Sequence, residues 1–174
     1  GLLYTSGTTG RSKGAMITHA NLSSNAATLV ELWRITSADT LLHALPIFHV
    51  HGLYVALNTT FLAAASMIWF SKLDVNAMIA AMPDATVMMG VPTFYTRLLS
   101  EPRFTAEASR NMRLFISGSA PLLAETHRDF SVRTGHAILE RYGMTETGMI
   151  TSNPHDGARV PGTVGFALPD VSVR

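Results

Sequence analysis

Apolar positions along the chain fall into short runs separated by amphipathic segments and turn residues, a spacing that predicts alternating strands and helices. Gly1-Leu2-Leu3-Tyr4 opens as a β-like apolar run. Leu41 to Leu45 reads as a strand, Val75 to Met82 as a helix, Thr86 to Gly90 as a strand, and Thr93 to Ser100 as a helix opened by Pro92. Met112 to Ser117 reads as a strand, Leu122 to Thr134 as a helix stopped by Gly135, and Ala137 to Glu140 as a strand. Val171-Ser172-Val173-Arg174 alternates like the start of one more strand. Strands separated by helical segments need crossover connections, so the expected fold class is α/β, a mainly parallel sheet with helices on both faces.

The uncharged stretch from Gly52 to Phe70 has the length of a membrane span. Asn58, Thr59, Thr60 and Ser66 interrupt it, and its Ala-rich first part gives way to Ser66-Met67-Ile68-Trp69-Phe70. It reads as a buried helix running into a buried strand, with no membrane span.

Composition narrows the function classes. The 174 residues suffice for about one domain, and 47% hydrophobic against 14% charged residues excludes intrinsic disorder and a coiled coil. A formal net charge of +1 gives no global pull towards nucleic acid or an anionic membrane, so any bound anion must be held by a local site. The absence of cysteine excludes a disulfide scaffold, a zinc-thiolate site and a Cys nucleophile, and a cytoplasmic protein is the simplest reading. The nine methionines are expected to fill the core. Lys13 and Lys72 are the only lysines.

Three segments carry candidate chemistry. The first is Tyr4-Thr5-Ser6-Gly7-Thr8-Thr9-Gly10-Arg11-Ser12-Lys13-Gly14. Its glycines let backbone approach a ligand, its hydroxyls donate, and its amides and two cations suit a polyphosphate. Lys13 lies three residues beyond Gly10 and is followed by Gly14, which is not the Gly-Lys-Ser/Thr ending of a Walker A loop. The second is Glu140-Arg141-Tyr142-Gly143-Met144-Thr145-Glu146-Thr147, after a predicted strand. A carboxylate among hydroxyls can hold Mg²⁺ together with phosphate oxygens, and Tyr142 offers a flat face to a base. In an extended segment Arg141 points away from Tyr142, which gives it a structural or supporting role. The third, Ser117-Gly118-Ser119-Ala120-Pro121, puts small residues at a strand's carboxyl end, where open α/β sheets bind ligands.

In order and approximate spacing these segments resemble the signatures of the adenylate-forming acyl-CoA synthetase superfamily, over essentially the whole chain. Leu45-Pro46-Ile47-Phe48-His49-Val50-His51-Gly52, Gly90-Val91-Pro92-Thr93-Phe94-Tyr95-Thr96-Arg97 and Glu140-Arg141-Tyr142 are similar to its malonyl-CoA synthetase branch. The resemblance implies ATP, Mg²⁺ and coenzyme A as reaction partners and an acyl-adenylate intermediate. It places the phosphates at Thr5, Ser6, Gly7, Thr8, Thr9, Gly10 and Lys13, and the adenine beside Gly118, Ala120, Tyr142 and Gly143. It gives Thr145 the α-phosphate and Glu146 the Mg²⁺, with Lys13, Thr145 and Glu146 as the catalytic set.

A malonate substrate keeps one carboxylate ionised, and burying it unpaired is prohibitive, so a cation must meet it. Arg97 is the expected cation, with the Ser119 hydroxyl and His51 as supporting donors; the alternative for Arg97 is a surface pair with Glu101 at i+4. His49 and His51 lie two apart, which leaves open a metal site, pocket lining and a core role. The superfamily also carries a ribose-binding Asp in a Gly-Asp setting and a lysine on a C-terminal lid domain. Neither has a match here, so the chain is expected to be residues 1–174 of a partial N-terminal adenylation domain without its lid.

Overall fold

The computed structural model describes residues 1–5 and 12–173. The chain begins with a two-stranded antiparallel hairpin, β1 (Leu2–Thr5) with β2 (Lys13–Met16), in which Leu2 faces Met16 and Thr5 faces Lys13. Helix α1 (His19–Leu32) follows at once. Its start is a capping box: the Thr18 hydroxyl accepts from the Asn21 amide at 3.1 Å, and the Asn21 carboxamide oxygen accepts from the Thr18 amide at 3.0 Å.

The main sheet has seven strands in the order β4-β3-β5-β6-β7-β8-β9. They are β3 (Thr40–His43), β4 (Ser66–Trp69), β5 (Val87–Gly90), β6 (Leu114–Ser117), β7 (Leu139–Met144), β8 (Gly148–Ser152) and β9 (Phe166–Ala167). The first five in that order pair parallel, and β8 and β9 add antiparallel at one edge. The crossovers carry α2 (Asn58–Leu62), α3 (Val75–Ala81), α4 (Pro92–Leu99) and α5 (Ala124–Thr134), the last ended by Gly135 at φ +77°. Every residue of β5 and β6 is buried, as expected of strands covered on both faces. Phe115, Phe130, Tyr95 and Phe104 meet edge-on or tilted in the core between α4, α5 and β6.

The mainly parallel α/β sheet agrees with the sequence expectation, and several details correct it. The uncharged stretch is a π-helical segment His51–Leu57 running into α2 and then β4, but β4 is an edge strand with Trp69 half exposed rather than a buried one. Among the described residues no helix is long and apolar enough to cross a membrane. Residues 171–173 form no strand. The Glu140–Met144 segment lies on β7 itself, not after it, and Met16 and Met144 are exposed while Met78, Met82, Met88 and Met89 are fully buried.

The end of the sheet opposite the site is locked by one polar cluster. Arg113 donates from Nε to Asp39 Oδ1 at 2.7 Å and from Nη2 to Oδ2 at 2.6 Å. Thr86 donates to the same carboxylate at 2.7 Å and accepts the Thr40 amide at 3.0 Å. Burial would raise the Asp39 pKa, but hydrogen bonds from Arg113, the Thr36 amide and Thr86 outweigh it and hold the carboxyl at about 2.

Candidate active site

The carboxyl ends of β3, β5, β6 and β7 converge where open α/β sheets bind ligands. A cavity of about 360 Å³ opens there, lined by Ser117, Ser119, Ala120, Glu140, Arg141 and Tyr142, among others. The turn after β6 puts Ser119 at φ +68°, a left-handed conformation that costs a non-glycine residue energy and recurs at functional sites. In that conformation the Ser119 hydroxyl lies 3.2 Å from His51 Nδ1, at the start of the π-helical segment. His51 is buried and its Nε2 has no partner. Burial first, then Arg141, His49 and His43, hold its pKa well below the ordinary histidine value, so the ring is neutral at pH 7. With Nδ1 accepting from Ser119, Nε2–H is a free donor.

β7 alternates as a strand must. Tyr142 is 44% exposed, whereas Arg141 is 3% exposed and packs under Gly118. Glu140, on the other side of Arg141, accepts from the Gly162 amide at 3.1 Å and draws the 153–165 loop over the cavity, with Asn153 donating to Thr163 O at 2.7 Å. Arg141 therefore has no acidic partner among the described residues, and its Nε and Nη2 are buried without any hydrogen bond. Burial draws its pKa down to about 10, which leaves it charged at pH 7. An unpaired buried charge costs roughly 3–5 kcal/mol, so this arrangement is one that an anion would complete.

The sequence reading gave Arg141 a structural or supporting role; what it did not anticipate is a buried guanidinium with two unpartnered nitrogens. The signal available was its place on a strand otherwise apolar at Leu139. Arg97 is exposed in the last turn of α4 with no acidic partner among the described residues; the alternative pairing with Glu101 is not formed, because Glu101 pairs with Arg103 at 2.8 Å. The structure brings His51 and Ser119 together, and of His51, Ser119 and Arg97 only Ser119 is among the residues that line this cavity.

Thr145, Glu146 and Thr147 form the turn between β7 and β8 and line a second cavity of about 290 Å³ with Asn21, Asn25, Val50 and Tyr54. Glu146 is exposed and its carboxylate has no hydrogen-bond partner among the described residues. One free carboxylate beside a hydroxyl is the donor set Mg²⁺ takes when phosphate oxygens supply the rest, so the turn fits that ion. The histidines fit a metal less well. Among the described residues no group of three or more His, Asp or Glu side chains could hold one, and His49 Nδ1 accepts the His51 amide at 3.2 Å.

Thr5 and Lys13 face each other at the open end of the β1–β2 hairpin, with Lys13 exposed. The intervening Ser6, Gly7, Thr8, Thr9, Gly10 and Arg11 lie outside the described residues. A strand pair at Thr5 and Lys13, small residues at the end of β6, and a carboxylate-bearing turn after β7 are where the sequence expectation puts a nucleotide. The family model described as "AMP-binding enzyme" matches residues 1–174. The chain belongs to the AMP-binding enzymes.

Within that family it is similar to the mitochondrial malonate–CoA ligase of Mus musculus, 43% identical over 194 residues, covering 99% of this chain and 32% of that one. It is 66% identical to ATP-bound MatB from Rhodopseudomonas palustris, with a TM-score of 0.94 over 97% of this chain and 33% of that one. A malonyl-CoA ligase solved as a ternary product complex with methylmalonyl-CoA and AMP bound is 39% identical, with a TM-score of 0.91 over 97% of this chain and 37% of that one. This AMP-binding enzyme chain thus spans about a third of the length of the relatives it matches.

Proposed function

We propose that the chain carries the nucleotide- and acid-binding surface of a malonate–CoA ligase, making malonyl-CoA from malonate, ATP and coenzyme A. The observation that carries the acid assignment is Arg141, charged, buried and unpaired beside Ser119 and His51. A monocarboxylic acid has no charge left for it once its carboxylate is activated. A dicarboxylate does.

In this reading Arg141, the Ser119 hydroxyl and His51 Nε2–H hold the distal carboxylate, and Arg97 is the second cation proposed to meet it. The proximal carboxylate oxygen attacks the α-phosphorus of ATP and the bond to the β-phosphate breaks, releasing pyrophosphate. The coenzyme A sulfur then attacks the acyl carbon, AMP leaves with the C–O bonding pair, and the thiol proton is lost. Thr5 to Gly10 and Lys13 bind the phosphates, Gly118, Ala120, Tyr142 and Gly143 flank the adenine, and Thr145 contacts the α-phosphate. Glu146 would hold Mg²⁺, which supplies charge neutralisation at phosphate oxygens. The chain's own contribution is mostly positioning and charge stabilisation. A reducing compartment suits a cysteine-free protein, and the cytosol is the proposed location.

The test is pyrophosphate release by the intact protein with malonate, acetate or butyrate. Malonate is expected to be favoured by about 100-fold or more in kcat/KM, since a buried charged site rejects analogues that cannot pair with it. Equal use of the three acids would overturn the assignment in favour of a ligase for another short acid.

A further inference from the structure

The two halves of the nucleotide site come from sequence segments more than 120 residues apart, and one side chain ties them. Asn25, on the middle of α1, donates from Nδ2 to the Met149 carbonyl at 2.9 Å and accepts the Met149 amide on Oδ1 at 3.0 Å. A carboxamide closing two hydrogen bonds on one residue's backbone imitates a neighbouring strand and fixes both distance and orientation. Its grip falls directly after the Thr145–Thr147 turn. Gly148, between the turn and the grip, sits at φ +67°, and a Cβ there would come 2.8 Å from Asn25 Oδ1. Asn25 also lines the same cavity as Thr145 and Glu146.

α1 in turn follows the β1–β2 hairpin after only two residues, and Ile17 closes that junction by donating its amide to Gly1 O at 2.9 Å while its carbonyl accepts from the Gly1 nitrogen at 2.7 Å. Hairpin, helix and turn therefore form one connected path: β2, the Thr18 cap, Asn25, Met149, Gly148 and the turn. We propose that Asn25 is a positioning residue for adenylation. It holds the Thr145–Glu146 turn against α1, so that the α-phosphate and metal contacts are made at once. Its carboxamide is engaged by the Met149 backbone through both its donor and its acceptor. The inference rests on the reading of Thr145 and Glu146 given above and adds the group that places them.

The experiment compares the intact protein with Asn25→Ala, which removes both bonds, and Asn25→Asp, which keeps the acceptor and turns the donor into an oxygen facing the Met149 carbonyl. Amide hydrogen exchange at 145–149, read without ligand, is expected to speed up in both variants while α1 itself stays protected. Malonate- and Mg²⁺-dependent ATP–pyrophosphate exchange is expected to fall by about 10- to 100-fold, the scale of a displacement near 1 Å in a reacting assembly. Thioester formation from presynthesised malonyl-adenylate is expected to fall several-fold less, because it keeps the Thr145 contact to the α-phosphate but needs neither the metal nor the β- and γ-phosphates in place.

Gly148→Ala crowds the same grip from the other side; the part of its loss that comes from Asn25 Oδ1 is expected to vanish on top of Asn25→Ala, a coupling that independent sites do not give, while the strain of φ +67° remains in both backgrounds. Equal losses in both half-reactions, or unchanged 145–149 amide exchange, would overturn the inference. A wild-type protein with no malonate-dependent exchange would instead overturn the functional reading on which it rests.

Discussion

Gly118 and Arg141 meet across the ends of β6 and β7, and the guanidinium fills the space that a Cβ on Gly118 would need. The contact holds an unpaired charge beneath the Ser119 turn, so the backbone of one motif and the side chain of another build a single corner, the one proposed for the second carboxylate. Gly118→Ala must push either the turn or the guanidinium aside. The expected cost is about 1–3 kcal/mol of stability, as for overpacking elsewhere. A rise in KM for malonate larger than that for ATP accompanies it, and denaturant titration with steady-state kinetics checks both.

At the other end of the sheet, Asp39 and Arg113 predict an acid limit. The folded carboxyl is held at about 2, below its unfolded value near 4. The folded state therefore binds the proton less readily, and the stabilisation is full above pH 4 and is lost as pH falls from about 4 through about 2. Its size is on the order of 2 kcal/mol. Asp39→Asn removes this pH dependence, and because Arg113 is left without its charge partner it also lowers stability at pH 7; unfolding curves at pH 7, 4 and 3 for both proteins measure the effect.

The buried histidines predict a second, milder acid response. His43 packs edge-on against Trp69 at 4.6 Å between ring centroids, both its nitrogens lack partners, and burial lowers its pKa to about 4. Its unfolded value is near 6.5, so the unfolded chain takes up the proton first. Stability is full above about pH 6.5 and declines as pH falls towards 4. His43→Phe keeps the ring and removes two orphaned nitrogens. It is expected to leave stability at pH 7 unchanged within about 1 kcal/mol and to lessen the loss between pH 7 and 5; a decline as steep as in the wild type would contradict this.

Glu146→Gln keeps the shape of the turn and removes its charge. Adenylation is then expected to need about tenfold more Mg²⁺ for half-maximal rate, the equivalent of one charge-assisted contact. Titrating Mg²⁺ against pyrophosphate release at fixed ATP measures it, and an unchanged requirement would remove Glu146 from the metal site.

Much of this was legible in the sequence because strands covered on both faces appear as continuous apolar runs. Val87 to Gly90 and Leu114 to Ser117 are such runs, and the helices that follow them carry a clear start at Pro92 and a clear stop at Gly135. Helix α1 was not legible. It buries only Ala26 and Leu29 within its length, its first turn holds no acidic residue, and its capping box uses Asn21 in place of the usual Glu or Gln. β8 and β9 escaped because they are short, polar in part, and fixed by tertiary contacts, Trp33 Nε1 to Ser152 Oγ at 3.0 Å among them. At the candidate site, the segments 4–14, 117–121 and 140–147 could be picked out as motifs. Arg141 could not, because whether a charged residue on a strand faces solvent, a partner or a cavity depends on which neighbours the fold supplies; here Glu140 turns to Gly162 and leaves it alone.

Arg141→Met tests the central claim most directly, by measuring unfolding free energy and acid preference in the same intact protein. Replacing an unpaired buried charge with an apolar side chain of similar length is expected to leave stability unchanged or raise it by about 1–4 kcal/mol. Malonate kcat/KM is expected to fall by about 100-fold or more, with acetate and butyrate little affected. A variant that is less stable and loses activity equally on all three acids would contradict the account, since Arg141 would then be a structural residue and not the seat of the second carboxylate.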